Sequence, residues 1–247
     1  MPPRIAIPMP HSTDCEYSER AIPQYEQAVT LAGGVPVRIL LDQSADSIAE
    51  AIKSCDAILL PGSNADVDPA IFRQERSLHT AASDPKRHDG DMLLLEDAYQ
   101  DRKPVLGICY GLQSLNVFRK GSLIQHIPDF LPEETRAKVN HEAGKRVAVA
   151  HTVEIEANSL LAHFAGSKSA RGALPVNSSH HQSADAIGEG LRMVARCPDD
   201  GIVEALEGTD PDHFVLAVQW HPERSMEHDN ASRSIFSALV DAAGKRR

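Results

Sequence analysis

Cys109, His221 and Glu223 are the residues whose types and settings could do chemistry together. Cys109 closes the apolar run Val105–Ile108 and has Gly107 and Gly111 on either side. A buried strand that turns at once into a helix lifts one side chain above the sheet edge, and small flanking residues leave room for the backbone crossing. The helix N-terminus that follows favours a thiolate and offers backbone N–H groups to a developing oxyanion. This spacing therefore predicts a cysteine nucleophile. Such a nucleophile needs an imidazole to hold and deliver its proton, and the imidazole needs a carboxylate to set its tautomer. The run from Val215 to Gln219 ends in Trp220, His221, Pro222 and Glu223, which supplies both. Each signal alone is weak, because a free cysteine after a strand is commonly a small core residue and a short His-x-Glu is commonly a solvated pair. Their joint presence gives them weight.

The elements that must position these groups read as an alternation. Arg4–Ile7, Tyr25–Ala32, Val35–Leu40, Asp46–Ser54 and Ala57–Leu60 follow as strand, helix, strand, helix, strand, with Gly33 and Gly34 ending the first helix. Continuous hydrophobicity in Ala57–Leu60 and Val105–Ile108 suits strands buried on both faces of a mainly parallel sheet. Asp91–Arg102 reads as a helix feeding the Pro104–Ile108 strand, and Gly111–Arg119 as the helix after Cys109. Pro128–Lys145, charged and carrying Pro128 and Pro132, reads as a mobile loop. Arg146–Glu156, Leu191–Arg196, Ile202–Leu206 and Phe214–Gln219 read as strands, the last three as an antiparallel run, and Asn230–Ala243 as a closing helix.

Composition narrows the class of function. The 247 residues are 42% hydrophobic and 24% charged, ordinary for a globular chain, and a single domain over residues 1–247 is expected. The net charge of -10 opposes nucleic acid as a partner, and no apolar run approaches the ~20 residues of a membrane span. A small polar substrate fits better. The N-terminus lacks a secretory h-region, which makes a cytoplasmic location the expectation. Cys15, Cys55, Cys109 and Cys197 form no C-x-x-C pair and are expected as reduced thiols. The 12 histidines raise a metal reading, but His180 and His181 on a strand would point to opposite faces, and neither H-E-x-x-H nor C-x-x-C spacing occurs. No metal is expected. Asp66 and Asp68 read as a loop bonded to its own backbone.

Gly107-Ile108-Cys109-Tyr110-Gly111-Leu112-Gln113 followed by Gln219-Trp220-His221-Pro222-Glu223 resembles the paired signature of class I glutamine amidotransferases. Within that superfamily the chain most resembles the γ-glutamyl-γ-aminobutyrate hydrolase family, also grouped as peptidase C26. Pro61 to Pro69, Asp84 to Arg87, and Val176 to Gln182 carry the closer match. The resemblance implies a flavodoxin-like α/β fold, a central mostly parallel sheet flanked by helices with a small antiparallel extension. It also implies cofactor-free hydrolysis of a small γ-glutamyl amide through a thioester, with backbone N–H groups of Ser63 and Tyr110 as oxyanion hole. Gln113 and His181 are implied substrate contacts, and a homodimer is the implied assembly. Ser63 stands where the family usually has a second glycine, His88 interrupts the usual D-P-x-R-D pattern before Asp89, and Lys120 replaces a common glycine. A glutaminase subunit feeding ammonia to a synthase, a non-catalytic γ-glutamyl sensor, and a hydrolase of another γ-glutamyl amide are the rival readings.

Overall fold

The computed structural model describes residues 1–165 and 172–246. The first half of the chain alternates β1 (Arg4–Pro8), α1 (Cys15–Leu31), β2 (Val35–Ile39), α2 (Ala45–Lys53), β3 (Ala57–Leu60), α3 (Pro85–Asp101), β4 (Val105–Ile108) and α4 (Tyr110–Phe118). Then come β5 (Leu123–Ile124), the one-turn helices α5 (Ile127–Phe130) and α6 (Glu133–Arg136), β6 (His151–Ile155), α7 (Leu160–Ala165), β7 (Gly172–Val176) and β8 (Ser183–Ala184). β9 (Leu191–Arg196), β10 (Val203–Gly208), β11 (Val215–Val218) and α8 (Asn230–Lys245) complete it.

Nine strands form one sheet in the order β2-β1-β3-β4-β11-β10-β9-β6-β7. From β2 to β11 every pairing is parallel, and from β11 to β7 every pairing is antiparallel. β3, β4 and β11 bury every residue, as their continuous apolar runs require of central strands covered on both faces. Ile22, Tyr25 and Val29 of α1 pack one face together with Ile235, Phe236 and Leu239 of α8. Ile48 of α2, Leu94 and Leu95 of α3, and Leu112 and Leu115 of α4 pack the other. No helix among the described residues is long and apolar enough to cross a membrane.

One register decides the chemistry. β4 and β11 run parallel with Ile108 opposite Val218, so both strands end at the same sheet edge. Cys109 follows one and His221 lies just beyond the other, which brings residues distant in sequence to one place.

Several elements depart from the sequence expectation. α1 begins at Cys15 rather than Tyr25, with Pro23 inside it. Asp14 caps it by accepting the Tyr17 N–H at 3.0 Å, and the buried stripe Ser18, Ile22, Tyr25 outweighs the hydrogen bond that Pro23 removes. α3 starts at Pro85 rather than Asp91, under an Asp84 cap with proline in the first turn. The segment read as a loop over Pro128–Lys145 holds most of α5, all of α6 and a 3-10 turn at Ala143–Lys145, and His141 within it is buried. β7 had no sequence counterpart, and His180 and His181 lie off any strand.

Candidate active site

Cys109 sits at the turn between β4 and α4 with φ 54° and ψ -105°, a conformation costing a non-glycine residue about 1–3 kcal/mol. The surrounding backbone holds it there: its N–H donates to Val218 O at 2.8 Å, and its carbonyl accepts the Leu112 N–H at 3.0 Å. The glycines are required by contact. A Cβ on Gly111 would lie 2.2 Å from Leu60 O, and one on Gly107 would lie 2.8 Å from Gly111 O.

His221 is buried, and its Nδ1 lies 2.7 Å from Glu223 Oε1. Burial disfavours the imidazolium, but the charges of Glu223 and Cys109 outweigh it and raise His221 to about 9. Burial would push Glu223 upward, yet the His221 charge and hydrogen bond hold its carboxyl below the ordinary range. The His221–Glu223 pair can therefore carry a positive imidazolium beside the sulfur at neutral pH. Asn177 grips the His221 backbone from the opposite side, accepting its N–H and donating to its carbonyl.

The Pro61–Ala65 loop closes over Cys109. Gly62 lies so near that a Cβ there would meet His221 Cε1 and the Tyr25 hydroxyl at 3.0 Å each. The Gly62 N–H donates to Tyr25 Oη at 3.0 Å. Arg87, fully buried, donates to Pro61 O at 2.7 Å, Pro10 O at 2.9 Å and Asp91 Oδ1 at 2.7 Å, and its guanidinium lies 4.8 Å from the centre of the Tyr110 ring. The segment Asp84 to Arg87 thus braces the loop carrying Ser63 against the start of α4. Ser63 and Tyr110 border one cavity with Cys109 and His221, and the N–H of Tyr110 stands at a helix start, where N–H groups lack intrahelical acceptors.

That cavity measures about 420 Å³. Gln113 and His181 also line it. Gln113 is buried rather than on the helix surface, its Nε2 donating to Gln182 O at 3.3 Å and Gln219 Oε1 at 3.4 Å. His181 reaches Asp66 Oδ1 at 3.1 Å and His126 Nδ1 at 3.2 Å. Asp66 therefore serves the pocket wall and the Ala81 N–H, whereas Asp68 bonds its local backbone at Ala70 as expected of it. Arg20, Lys145 and Arg224 border the cavity against the single carboxylate of Asp66, a lining suited to an anionic ligand. Tyr17, pushed up to about 12 by burial and the Cys109 charge, adds a neutral hydroxyl. A larger hollow of about 780 Å³ near Arg102, Asp210 and Lys245 has no nucleophile paired with a base in its lining. Sequence reasoning did not single out Asn177, Arg87, Arg20 or Arg224 as parts of this site; for Asn177 and Arg87, only their place in the segments shared with the family was a signal.

Comparison with known proteins identifies the family. The model for the peptidase C26 family matches residues 6–223. A Mycobacterium tuberculosis protein named as a glutamine amidotransferase is 40% identical, covering 89% of this chain and 66% of that protein. The γ-glutamyl-γ-aminobutyrate hydrolase of Escherichia coli K12 is 33% identical, covering 89% of this chain and 84% of the enzyme. Among solved structures, the glutaminase domain of Trypanosoma brucei CTPS with bound acivicin superposes with a TM-score of 0.65 at 21% identity, over 98% of this chain and 94% of that domain.

Proposed function

Because the chain belongs to the peptidase C26 family, we propose that it hydrolyses the γ-glutamyl amide bond of a small anionic γ-glutamyl compound resembling γ-glutamyl-γ-aminobutyrate. The observation that carries this reading is Cys109 on its strand-to-helix turn, beside the His221–Glu223 pair, in a cavity bordered by Arg20, Lys145 and Arg224. A γ-glutamyl aminobutyrate presents a carboxylate at each end and one ammonium, which suits three cations and one carboxylate better than glutamine does.

The Cys109 thiolate adds to the γ-carbonyl, and the oxyanion is met by the N–H groups of Ser63 and Tyr110, each such donor contributing about 3 kcal/mol. The carbon–nitrogen bond then breaks as the His221 imidazolium gives its proton to the leaving amine. A γ-glutamyl thioester remains on the sulfur. Neutral His221 takes a proton from water, the hydroxide adds to the thioester, and collapse frees glutamate and returns the thiolate–imidazolium pair. Glu223 keeps the His221 tautomer and orientation through both halves.

The test follows glutamate release from γ-glutamyl-γ-aminobutyrate and, separately, from glutamine, for wild type and for Cys109→Ala. Release from the dicarboxylate substrate, lost in the variant, is the expected result. Release from glutamine only when a synthase is added would replace this reading with an ammonia-supplying subunit.

A further inference from the structure

We infer that His141, His151, His180 and Glu204 form a structural site for one divalent transition-metal ion, with zinc the best fit. The four residues come from separate places: His141 from the turn after α6, His151 from β6, His180 from the segment before β8, and Glu204 from β10. Their ligand atoms all lie within 4.8 Å of one another. Glu204 Oε1 is 3.1 Å from His141 Nδ1, 3.1 Å from His151 Nε2 and 3.5 Å from His180 Nε2. Bonds of about 2.0–2.1 Å at tetrahedral angles put neighbouring ligand atoms about 3.3 Å apart, which is the spacing found from Glu204 to each histidine.

Hydrogen bonding explains the cluster poorly. His141 Nδ1, His151 Nε2, His180 Nε2 and both oxygens of Glu204 are buried, and none has a partner in hydrogen-bond geometry. The rings approach the carboxylate without aiming an N–H at it. Their other nitrogens do have acceptors: His141 Nε2 faces Asp200 Oδ2 at 2.8 Å, His180 Nδ1 faces Gln182 O at 2.8 Å, and His151 Nδ1 faces Thr152 O at 3.2 Å. Carbonyls cannot donate, so an N–H on the outer nitrogen of His180 and of His151 would leave each inner nitrogen free to act as a ligand, and Asp200 would do the same for His141. Outer partners of this kind orient the histidines of metal sites. Three imidazole nitrogens and one carboxylate favour zinc over magnesium or calcium, which prefer all-oxygen shells. Every ligand residue is at most 9% exposed, so the site is closed, as structural rather than catalytic zinc sites are.

An ion here would fasten the pocket wall. It would tie the segment bearing Lys145, through His141, and the segment bearing Asn177 and His181, through His180, to β10. The backbone carbonyl of Glu204 in turn accepts the Gln219 N–H at 2.8 Å, close to His221. The adjacent pair therefore divides its work, His180 facing the cluster and His181 facing Asp66 in the pocket.

Untagged full-length protein, purified without metal-affinity resin and dialysed exhaustively, is analysed for metals by mass spectrometry. Equimolar zinc is expected, falling below detection in His180→Ala and Glu204→Gln, and staying equimolar in Cys109→Ala and in His79→Ala, which disrupts the exposed His79, His126 and Asp129 group. Should the ligand variants fail to fold, chelator-stripped wild type is titrated with cobalt. Tetrahedral visible bands saturating at one equivalent, nitrogen and oxygen neighbours only by X-ray absorption, and a raised thermal midpoint on zinc addition are expected. Wild type that neither carries nor takes up a metal, or folded ligand variants that hold as much as wild type, would overturn the site. None of these readouts depends on the reaction proposed above.

Discussion

Asn177 and His221 hold each other by two reciprocal hydrogen bonds of 2.9 Å each, side-chain amide to backbone amide, in a buried setting. The pair fixes where the imidazole stands relative to Cys109 without touching the reacting atoms. Asn177→Ala leaves the His221 N–H unpaired and its carbonyl with the Arg224 N–H at 3.2 Å as its remaining partner, a loss of about 1–3 kcal/mol, which corresponds to a fall of about 5- to 150-fold in kcat if the strain is released by moving His221. Steady-state kinetics should show that fall with KM little changed, and circular dichroism should show a folded chain.

Glu223→Gln removes the charge that keeps His221 protonated and oriented. A fall of about 10⁴-fold in kcat/KM is expected, somewhat less than for removal of the sulfur. The variant separates orientation from charge, because the amide oxygen can still accept from Nδ1.

The pH profile follows from His221, raised to about 9 from its ordinary 6.5. Leaving-group protonation needs the imidazolium, so kcat/KM should decline as pH rises through about 9, and that limb should move to lower pH in Glu223→Gln. The sign for stability agrees. A histidine with a raised folded-state pKa contributes fully below about 6.5 and loses that contribution as pH rises through about 9. Glu223, held below its ordinary range, contributes above that range and loses its contribution as pH falls. Denaturant midpoints measured across pH check both limbs.

Gly111→Ala places a methyl 2.2 Å from the Leu60 carbonyl, a backbone atom of a central strand that cannot swing aside. A loss of about 3 kcal/mol is expected by urea denaturation, together with displacement of Cys109.

Lys120 has φ 69°, in the left-handed region that favours glycine. Its ion pair with Glu189 at 2.9 Å is largely exposed and contributes little. Lys120→Gly should therefore raise stability by about 1 kcal/mol, read as a higher thermal midpoint.

The central strands and the two Cys109 and His221 segments were legible because continuous apolar runs ending in reactive residues record both burial and position. Less was legible where local signals conflicted: Pro23 hid the first turns of α1, and the Asp84–Pro85 start of α3 lay behind a polar run that ends in Gly90 and Asp91. Long-range partners left no local trace. Nothing beside Arg87 reveals that it spans Pro10 and Pro61, and nothing beside Glu204 reveals three histidines around it. The face-alternation argument assumed a strand that His180 and His181 do not occupy, and it weighed them only against each other, whereas His180 meets His141 and His151 from distant elements.

Hydroxylamine partitioning tests the chemistry most directly, since it intercepts a thioester whether or not that species accumulates. With γ-glutamyl-γ-aminobutyrate and rising hydroxylamine, wild type should form γ-glutamyl hydroxamate at the expense of glutamate, and Cys109→Ala should form neither. Glutamate as the sole acyl product at every hydroxylamine concentration, or undiminished turnover by Cys109→Ala, would contradict attack by Cys109 on the γ-carbonyl.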